Sequence, residues 1–353
     1  MKWINDVVFA ILAAHVWGSL MLFVWLQAVK RLENKGYTRL LFYLLRAVIV
    51  AYLLPLGLGA VLIINEILVL DGRFIQITPV ISMIDLLLFV IWILGFFANF
   101  ESLQEKWEIT RHCFSDALPA SRERQLRFQE ICRQTKMRSG RVMLCEKAGI
   151  RCGGITVGVI HPKIVLPEGK TDEFVERVTM IHELVHYTRK DIWFLTAAKV
   201  VEAIHWFNPW TRGLAAQMSQ WNEYACDWKV CNKYLGNIKA YLEVLYSVSM
   251  QGQEDKTDMY SSIGTQPMKL IGRMEKMINM KNAMKKPKIF GVLAAVAVSF
   301  TSAGSVLAST GILAGGYRAL YELTDVEEDE VGIKSVGDID LLTGNTTPQD
   351  NSN

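Results

Sequence analysis

The sequence predicts an α-helical membrane protein that carries a mixed α+β domain between its apolar segments. Three observations support this fold class. Hydrophobic residues make up 51% of the 353 residues. They are concentrated in four long runs, whereas the stretch between the third and fourth runs is charged and contains short strand-like pieces. A soluble protein of this size would have to bury all four runs as core helices, which is unusual.

Each apolar run is long enough to cross a membrane. The predicted spans are residues 7–29, 40–64, 80–100 and 289–316. About 20 helical residues cover a hydrocarbon core about 30 Å thick. The first run is similar to a secretory signal, but it exceeds the roughly 7–15 apolar residues of such a signal, which favours a permanent anchor.

Lys and Arg residues predict the orientation of the chain. The connection between the first two runs holds four cations: Lys30, Arg31, Lys35 and Arg39. The next connection holds Arg73 alone. By the positive-inside rule the first connection is cytoplasmic, so both termini lie outside and the central domain lies inside. The 29 Lys and Arg against 21 Asp and Glu in residues 101–288 agree with this orientation.

The domain boundaries follow from the same patterns. Residues 1–100 hold three spans, and residues 101–250 form the cytoplasmic domain. Residues 251–288 are a linker that ends in a basic, Met-rich stretch, and residues 317–353 are a short acidic external tail. The basic stretch is either an amphipathic helix that faces anionic headgroups or an ordinary stop signal beside the fourth span.

The cytoplasmic domain begins with strands and continues with helices. The predicted strands are Arg141–Glu146, Ile155–Val159 and Lys163–Leu166. The predicted helices are 171–190, 192–206, 209–234 and 237–250. Thr171 is the predicted N-cap of the first of these helices. Five aromatic residues in 192–210 are candidates for contact with the bilayer surface: Trp193, Phe194, Trp206, Phe207 and Trp210.

The string His182-Glu183-Leu184-Val185-His186 indicates metal chemistry. Two histidines four positions apart lie one turn apart on a helix, so both rings can bind one Zn²⁺ ion. Glu183 is placed to take a proton from the attacking water and pass it to the leaving amine. The alternative is a helix with two surface histidines beside a glutamate. The apolar neighbours indicate a buried helix, in which unpaired His and Glu are costly.

A third metal ligand is expected downstream, because no HxxGxxH continuation follows His186. Glu223 is the candidate ligand, and Asp227 lies four positions later on the same helical face. Asp227 could accept the N–H of a metal-bound histidine and fix its ring. The alternative, a solvated acidic face, is disfavoured by the aromatic and apolar residues around these two carboxylates. All six cysteines lie in residues 101–288 without a CxxC pair, which argues against disulfides and a cysteine zinc cluster.

Other polar residues have two readings each. His205 is either an oxyanion-stabilising group or a structural histidine, and Asp191 is placed to cap or support the metal helix. His15 and Asp85 lie at similar depth in the predicted spans, so they either pair functionally or act as polar contacts between helices. Three tyrosines are further oxyanion candidates that the sequence does not rank: Tyr187, Tyr224 and Tyr234.

Four strings together resemble one known family. They are GVIHPKIVLP at 158–167, HELVHYTRKD at 182–191, HWFNPW at 205–210 and NEYACD at 222–227. This set is similar to the bacterial membrane metallopeptidases typified by the β-lactam sensor-transducers of the BlaR/MecR kind, over roughly residues 1–315. The resemblance implies a gluzincin-like domain in the bacterial cell membrane. It also implies zinc held by His182, His186 and Glu223, with Glu183 as catalytic base.

The resemblance further implies a role in an antibiotic response, through proteolysis of a cytoplasmic DNA-binding repressor and self-cleavage in the protease segment or its linker. The β-lactam sensors carry an external penicillin-binding domain after the fourth span. This chain has 37 residues there and no SxxK or KTG string, so β-lactam acylation is not expected.

The expected partners are the lipid bilayer and a cytoplasmic protein substrate, with no direct nucleic-acid binding and with homo-oligomerisation left open. Two alternative functions remain at this point. One is a quality-control protease for membrane proteins. The other is a non-catalytic scaffold in which zinc is structural.

Overall fold

The computed structural model describes residues 2–54, 78–150, 153–169, 171–252 and 271–278, and parts of 304–323. Several sequence predictions fall outside these residues. They are the second half of the second span, most of the linker, most of the fourth span and residues 324–353 of the tail.

Eight helices and four strands make up the main body of the described chain. The helices are α1 (Lys2–Leu32), α2 (Thr38–Leu53), α3 (Pro79–Cys113), α4 (Arg122–Thr135), α5 (Glu173–Thr188), α6 (Asp191–Ile204), α7 (Leu214–Lys229) and α8 (Ile238–Gly252). The strands are β1 (Leu118–Pro119), β2 (Met143–Lys147), β3 (Ile155–Val157) and β4 (Lys163–Pro167). A 3₁₀ turn (Glu33–Lys35) follows α1, and a π-helical turn (Val230–Leu235) follows α7. Residues 271–278 and 315–323 are also helical.

Two of these helices are long and apolar enough to cross a membrane, Trp3–Leu32 and Pro79–Cys113. Within the described part of the chain, α3 buries only Ile81, Asp85 and Leu103, and it exposes apolar side chains along most of its length. A continuous apolar surface of this kind suits lipid or a partner protein. The 35 residues of α3 extend about 52 Å at 1.5 Å per residue, so the helix continues well beyond the predicted end at residue 100.

The helices of the central domain pack directly against α1 and α2. One buried cluster joins α1, α2, α6 and α7, and its members include Trp25, Leu45, Val201 and Trp221. Gly18 lets α1 and α2 approach each other closely, because a Cβ atom at that position would collide with the ring of Tyr52. The domain therefore packs directly against the first two helices.

The turn after α6 reaches between the predicted spans. Trp92 of α3 donates a hydrogen bond from Nε1 to the carbonyl of Ile204 at 2.8 Å, and Trp206 Nε1 donates to the carbonyl of Trp92 at 3.2 Å. Asn208 Nδ2 donates to Ser19 Oγ at 3.1 Å. These partners lie in the middle of the apolar helices. Trp206 therefore packs among the spans, which differs from the predicted contact with the bilayer surface.

The proposed pairing of His15 with Asp85 is wrong. Asp85 accepts a hydrogen bond from the hydroxyl of Tyr317 at 3.2 Å, whereas His15 lies 3.4 Å from Asn208 Nδ2 and beside the ring of Phe207. The two side chains face different neighbours, because Asp85 lies against the C-terminal helical segment. That segment also continues to residue 323, past the predicted end of the fourth span at residue 316.

The strands form one sheet in the order β1-β2-β4-β3. β2 and β4 are parallel, with Cys145 opposite Val165, and the other two pairs are antiparallel. β3 is therefore an edge strand. α5 packs between this sheet, α4, α8 and the π-helical turn, and its residues Ile181, Leu184 and Val185 are buried in the main core. The mixed α+β character of the predicted domain is observed.

Several element boundaries differ from the predictions by a few residues. The N-cap of α5 is Asp172 instead of Thr171, since the Asp172 carboxylate accepts from the N–H groups of Phe174 and Val175, each at 3.0 Å. The predicted helix 209–234 begins only at Leu214, because Gly213 at φ +86° ends a series of turns. The predicted helix 237–250 starts at Ile238.

The lysines that end the predicted basic stretch, Lys285, Lys286 and Lys288, lie outside the described residues, so the predicted basic face toward headgroups stays a prediction. The structure describes the helical segment 271–278. Its cations are turned into the protein, where Arg273 binds Asp227 and Lys276 binds Glu33 of the 3₁₀ turn. Ile271 is exposed instead. Carboxylates of the protein therefore bind both cations of this segment.

Candidate metal centre

Two histidines of α5 come together in the interior of the domain. His182 and His186 are both buried and lie one helical turn apart. Their Nε2 atoms are 3.0 Å from each other, and their ring centroids are 4.7 Å apart. The spacing read from the sequence thus places two imidazole nitrogens where one ion could bind both.

Glu223 of α7 brings a carboxylate to the same point. Its Oε2 lies 3.5 Å from His182 Nε2, and its Oε1 lies 3.4 Å from His186 Nε2. Zinc–ligand bonds of about 2.0–2.1 Å in a tetrahedral site separate the ligand atoms by about 3.4 Å. The three side chains are therefore spaced as a tetrahedral metal site requires.

The outer nitrogens of both rings have acceptors, which fixes the tautomers. Tyr241 of α8 donates its hydroxyl proton to Asp227 Oδ1 at 2.7 Å, so its oxygen accepts from His182 Nδ1 at 2.9 Å. His186 Nδ1 lies 2.7 Å from Asp191 Oδ2 and donates to it. Both Nε2 lone pairs then point at each other across 3.0 Å. This arrangement needs a cation between the two nitrogens.

The electrostatics of the centre agree with that requirement. Burial disfavours charge on His182, but the negative charge of Cys226 and the bond to Glu223 outweigh burial and raise the pKa of His182 to about 10. The pKa of His186 is raised in the same sense, against burial, by Cys226, Glu223 and Asp191. Burial opposes ionisation of Glu223, yet Arg273 and the two histidines hold its pKa well below the usual range. The centre thus attracts positive charge.

Glu223 Oε2 is buried and receives no hydrogen bond from the residues that the structure describes, although Arg273 Nη2 lies 3.2 Å away. A buried carboxylate oxygen normally has a partner. A metal ion between this oxygen and the two imidazoles would supply one. The residues present therefore fit a divalent metal ion.

Cys226 is a neighbour that the sequence prediction did not consider. His182, His186 and Cys226 offer ligand atoms within 4.8 Å of one another. The Cys226 thiol, however, lies 3.5 Å from His182 Nδ1, the nitrogen that already faces Tyr241. Glu223 approaches the Nε2 atoms instead. Geometry therefore favours Glu223 as the third ligand.

Glu183 lines a small cleft of about 90 Å³ next to the two metal-facing groups His186 and Glu223. Its Oε2 accepts a hydrogen bond from Thr156 Oγ1 of β3 at 2.7 Å. Thr156 therefore orients the carboxylate. We name this the active-site cleft, and its other lining residues are Ile155, Asp191, Ile192, Leu195, Ser219 and Asn222.

Asp227 does not act in the predicted way. Its Oδ1 is 3.9 Å from His182 Nδ1, and the Tyr241 hydroxyl bridges the two groups. Arg273 binds the same carboxylate through Nε at 2.8 Å and Nη2 at 2.6 Å. Because Asp227 lies one turn beyond Glu223, it reaches the histidine only through the tyrosine. Tyr241 and Arg273 were not predicted from the sequence.

Asp191 supports the centre, as the sequence suggested. It accepts from His186 Nδ1, lies 3.2 Å from Arg189 Nη2, and forms an ion pair with Arg46. Arg46 comes from α2 and stands between the rings of Phe42 and Phe194, at 4.3 and 4.1 Å from their centroids. Arg46 of the second predicted span thus binds Asp191, which in turn binds the candidate metal ligand His186.

His205 occupies the structural role. It is buried, its Nε2 lies 3.0 Å from the carbonyl of Tyr52, and it does not line the active-site cleft. Tyr187 accepts from the backbone N–H of Arg141 at 3.3 Å, and Tyr224 accepts from Gln220 Nε2 at 2.6 Å. Tyr234 and Tyr187 line a larger cleft beside the centre.

The apolar helices and the cluster of His182, His186 and Glu223 are typical of membrane-associated metallopeptidases. The particular family follows from comparison with known proteins. The family described as BlaR1 peptidase M56 matches residues 75–278, which is more than half of the chain, so the chain belongs to this family. The Regulatory protein BlaR1 of Bacillus licheniformis is 28% identical over 166 residues, which cover 42% of this chain and 25% of that protein. The match thus spans about a quarter of the length of the curated relative.

Proposed function

We propose that this chain is a membrane-anchored zinc metalloendopeptidase of the signal-transducing kind, which hydrolyses a peptide bond in a cytoplasmic regulatory protein. One observation carries the proposal. The Nε2 atoms of His182 and His186 and the carboxylate of Glu223 converge within 3.0–3.5 Å, and Glu183 lines the same cleft.

Two imidazoles and one carboxylate are a ligand set that zinc accepts in peptidases, with a further position left for water or substrate. When bound, the ion would polarise the scissile carbonyl and make the attacking water more acidic. Glu183 takes the proton of that water and delivers it to the leaving amine. Thr156 keeps the Glu183 carboxylate turned into the cleft through its 2.7 Å hydrogen bond.

The edge strand supports a polypeptide substrate. β3 contributes Ile155 and Thr156 to the active-site cleft. β4 covers one side of β3, and no strand among the described residues covers the other. An extended peptide can add to such an edge by main-chain hydrogen bonds, which places its backbone beside Glu183.

The regulatory part of the proposal rests on two further points. The curated relative is named a regulatory protein, and the positive-inside prediction puts the cleft in the cytoplasm. The proposed substrate is a DNA-binding repressor, with self-cleavage as a second reaction, and the bacterial cell membrane is the proposed location. Phe9 near the start of α1, Ile81 near the start of α3 and Tyr317 share one buried cluster. These three segments therefore lie at one side of the predicted spans, which agrees with a chain that has both termini on the outer side.

Metal analysis of the full chain in detergent and a cleavage assay in cells test the proposal together. The wild type should hold about one zinc per chain and degrade the repressor encoded nearest its gene when the two proteins are co-expressed. Glu183→Gln should keep zinc and lose cleavage, His186→Ala should lose both, and the control Glu243→Gln, an exposed residue of α8, should lose neither.

The outcomes separate the alternatives. Zinc binding with no Glu183-dependent cleavage of any protein would indicate a scaffold with a structural ion. Glu183-dependent loss of misfolded membrane proteins, with the repressor intact, would indicate quality control. Persistence of cleavage in Glu183→Gln would show that the catalytic base is wrongly assigned.

A further inference from the structure

A second and larger cleft opens beside the metal centre. It has a volume of about 710 Å³. Six cations line it, and we name it the basic cleft: Lys136, Arg138, Arg141, Lys190, Lys229 and Lys233. All except the half-buried Lys229 are exposed. The basic cleft therefore presents its charge to solvent.

Among the described residues, the wall of the basic cleft contains no Asp or Glu that could balance its positive charge. Within the described part of the chain, none of the six cations forms an ion pair with a carboxylate. Cations gathered on one concave wall repel each other and raise the local concentration of anions. The basic cleft is thus ready for a negatively charged ligand.

The basic cleft is continuous with the active-site cleft. Both are lined by Thr156, His186 and Ile192. The metal ligand His186 therefore stands at the junction of the two clefts, and the orienting residue Thr156 stands with it. A polypeptide bound along β3 with its scissile bond at the metal centre would continue into the basic cleft.

The wall between the cations is aromatic and apolar. Tyr187, Trp193 and Tyr234 line it together with Val159 and Ile160 of the β3–β4 connection. Ile160 is 75% exposed, so this apolar surface is open to a ligand. Such a wall accommodates the side-chain stems and apolar residues of a peptide, while the cations receive its carboxylates.

We propose that the basic cleft binds an acidic stretch of the substrate polypeptide, so that the peptidase selects chains with Asp and Glu on one side of the scissile bond. This inference rests on the proposed peptidase function and adds the substrate class. A polypeptide is favoured over a nucleic acid or a lipid surface, because it alone can fill the basic cleft and present a peptide bond at His186.

Peptide binding to the zinc-loaded full chain tests the inference. The chain carries Glu183→Gln, so that peptides bind without being cleaved. The probes are two short fluorescein-labelled peptides of equal length, which differ only in that four Asp and Glu residues of one are Asn and Gln in the other. Fluorescence anisotropy at low salt should give an affinity for the acidic peptide about tenfold or more above that for its neutral isostere. The difference should shrink with added salt, since exposed charge pairs are screened.

A charge-matched pair of variants locates the effect. Replacing Arg138, Arg141 and Lys233 by Gln should bring the acidic peptide to the affinity of its isostere, with zinc content unchanged. Replacing Arg111, Arg122 and Lys239 by Gln removes the same charge from exposed positions outside the basic cleft, and the preference should persist. Equal loss in both variants would reduce the effect to net charge and overturn the proposal.

Two further results would also overturn it. One is equal affinity of the wild-type cleft for both peptides. The other is tighter binding of a labelled single-stranded oligonucleotide, or of vesicles with anionic headgroups, through the same three residues. Glu183-dependent hydrolysis of unfolded casein by the wild-type chain is measured separately. It tells whether the peptidase function stands when the acidic preference fails.

Discussion

Removing one hydroxyl group at Tyr241 should weaken metal binding without disturbing the ligands themselves. Tyr241 is almost fully buried, and its oxygen lies 2.9 Å from His182 Nδ1 and 2.7 Å from Asp227 Oδ1. Tyr241→Phe retains the ring and the packing of α8 against α5. Asp227 keeps its two bonds to Arg273, so the main loss falls on the N–H group of His182.

The size of the effect follows from that lost bond. A buried donor left without an acceptor costs about 1–3 kcal/mol. Ligand-supporting hydrogen bonds of this kind change metal affinity by about 10–100-fold, and tenfold corresponds to about 1.4 kcal/mol. His182 can also turn or change tautomer once its acceptor is gone, which would remove the Nε2 lone pair from the metal. We therefore expect the zinc dissociation constant of Tyr241→Phe to rise about 10–100-fold.

Competition against a chromophoric zinc chelator measures this constant on the full chain in detergent. Tyr246→Phe is the matched control, because it removes a hydroxyl from an exposed position of the same helix. Its zinc affinity should equal that of the wild type. If Tyr241→Phe also binds zinc within about twofold of the wild type, the hydroxyl does not hold His182, and the tautomer assignment is refuted.

Three further results are expected. Arg46→Met should weaken zinc binding about three- to tenfold in the same titration, because Asp191 loses its partner from α2, whereas the exposed control Arg39→Met should not. Cys226→Ser should change zinc affinity by less than about threefold, and Glu223→Gln should lower it more than about 100-fold; the reverse order would make the thiol the ligand. In the zinc-free chain the pKa of His182 is raised to about 10 from 6.5, so its contribution to stability is present below pH 6.5 and is lost as the pH rises toward 10. The thermal unfolding temperature of the zinc-free chain should fall over that range, and zinc affinity should increase because fewer protons compete.

The convergence of the two histidines could be predicted because they lie one helical turn apart in the sequence. Glu223 is 37 positions from His186, and it was a candidate because the apolar neighbours on its helix predict burial. Helical periodicity also predicted a direct contact between Asp227 and a histidine. This prediction was wrong because Tyr241, which comes from another helix, stands between the two side chains. Tyr241 is 59 positions from His182 and carries no motif.

The sequence also did not predict that Arg46 of α2 and Arg273 support the centre. Arg46 is the one charged residue of the second apolar run and belongs to no motif, and its partner Asp191 lies 145 positions away. Arg273 lies in the predicted linker, residues 251–288, and belongs to no motif. Its partner Asp227 is 46 positions away in the sequence. Contacts of this range depend on how the helices pack, which the local pattern does not encode.

Each histidine is held by its own series of side-chain contacts. One series ends at α2, and the other ends at the turn between α1 and α2. His186 is fixed through Asp191 to Arg46, which belongs to α2. His182 is fixed through Tyr241 and Asp227 to Arg273. The segment of Arg273 is in turn tied by Lys276 to Glu33 in the turn between α1 and α2.

A metal site tolerates only about 0.2 Å of variation in its bond lengths. A shift of α2 relative to that turn would pull the two Nδ1 partners unequally and change the 3.0 Å separation of the Nε2 atoms. The positions of both histidines are therefore linked to α2 and to the turn that precedes it, through Arg46 and through Glu33.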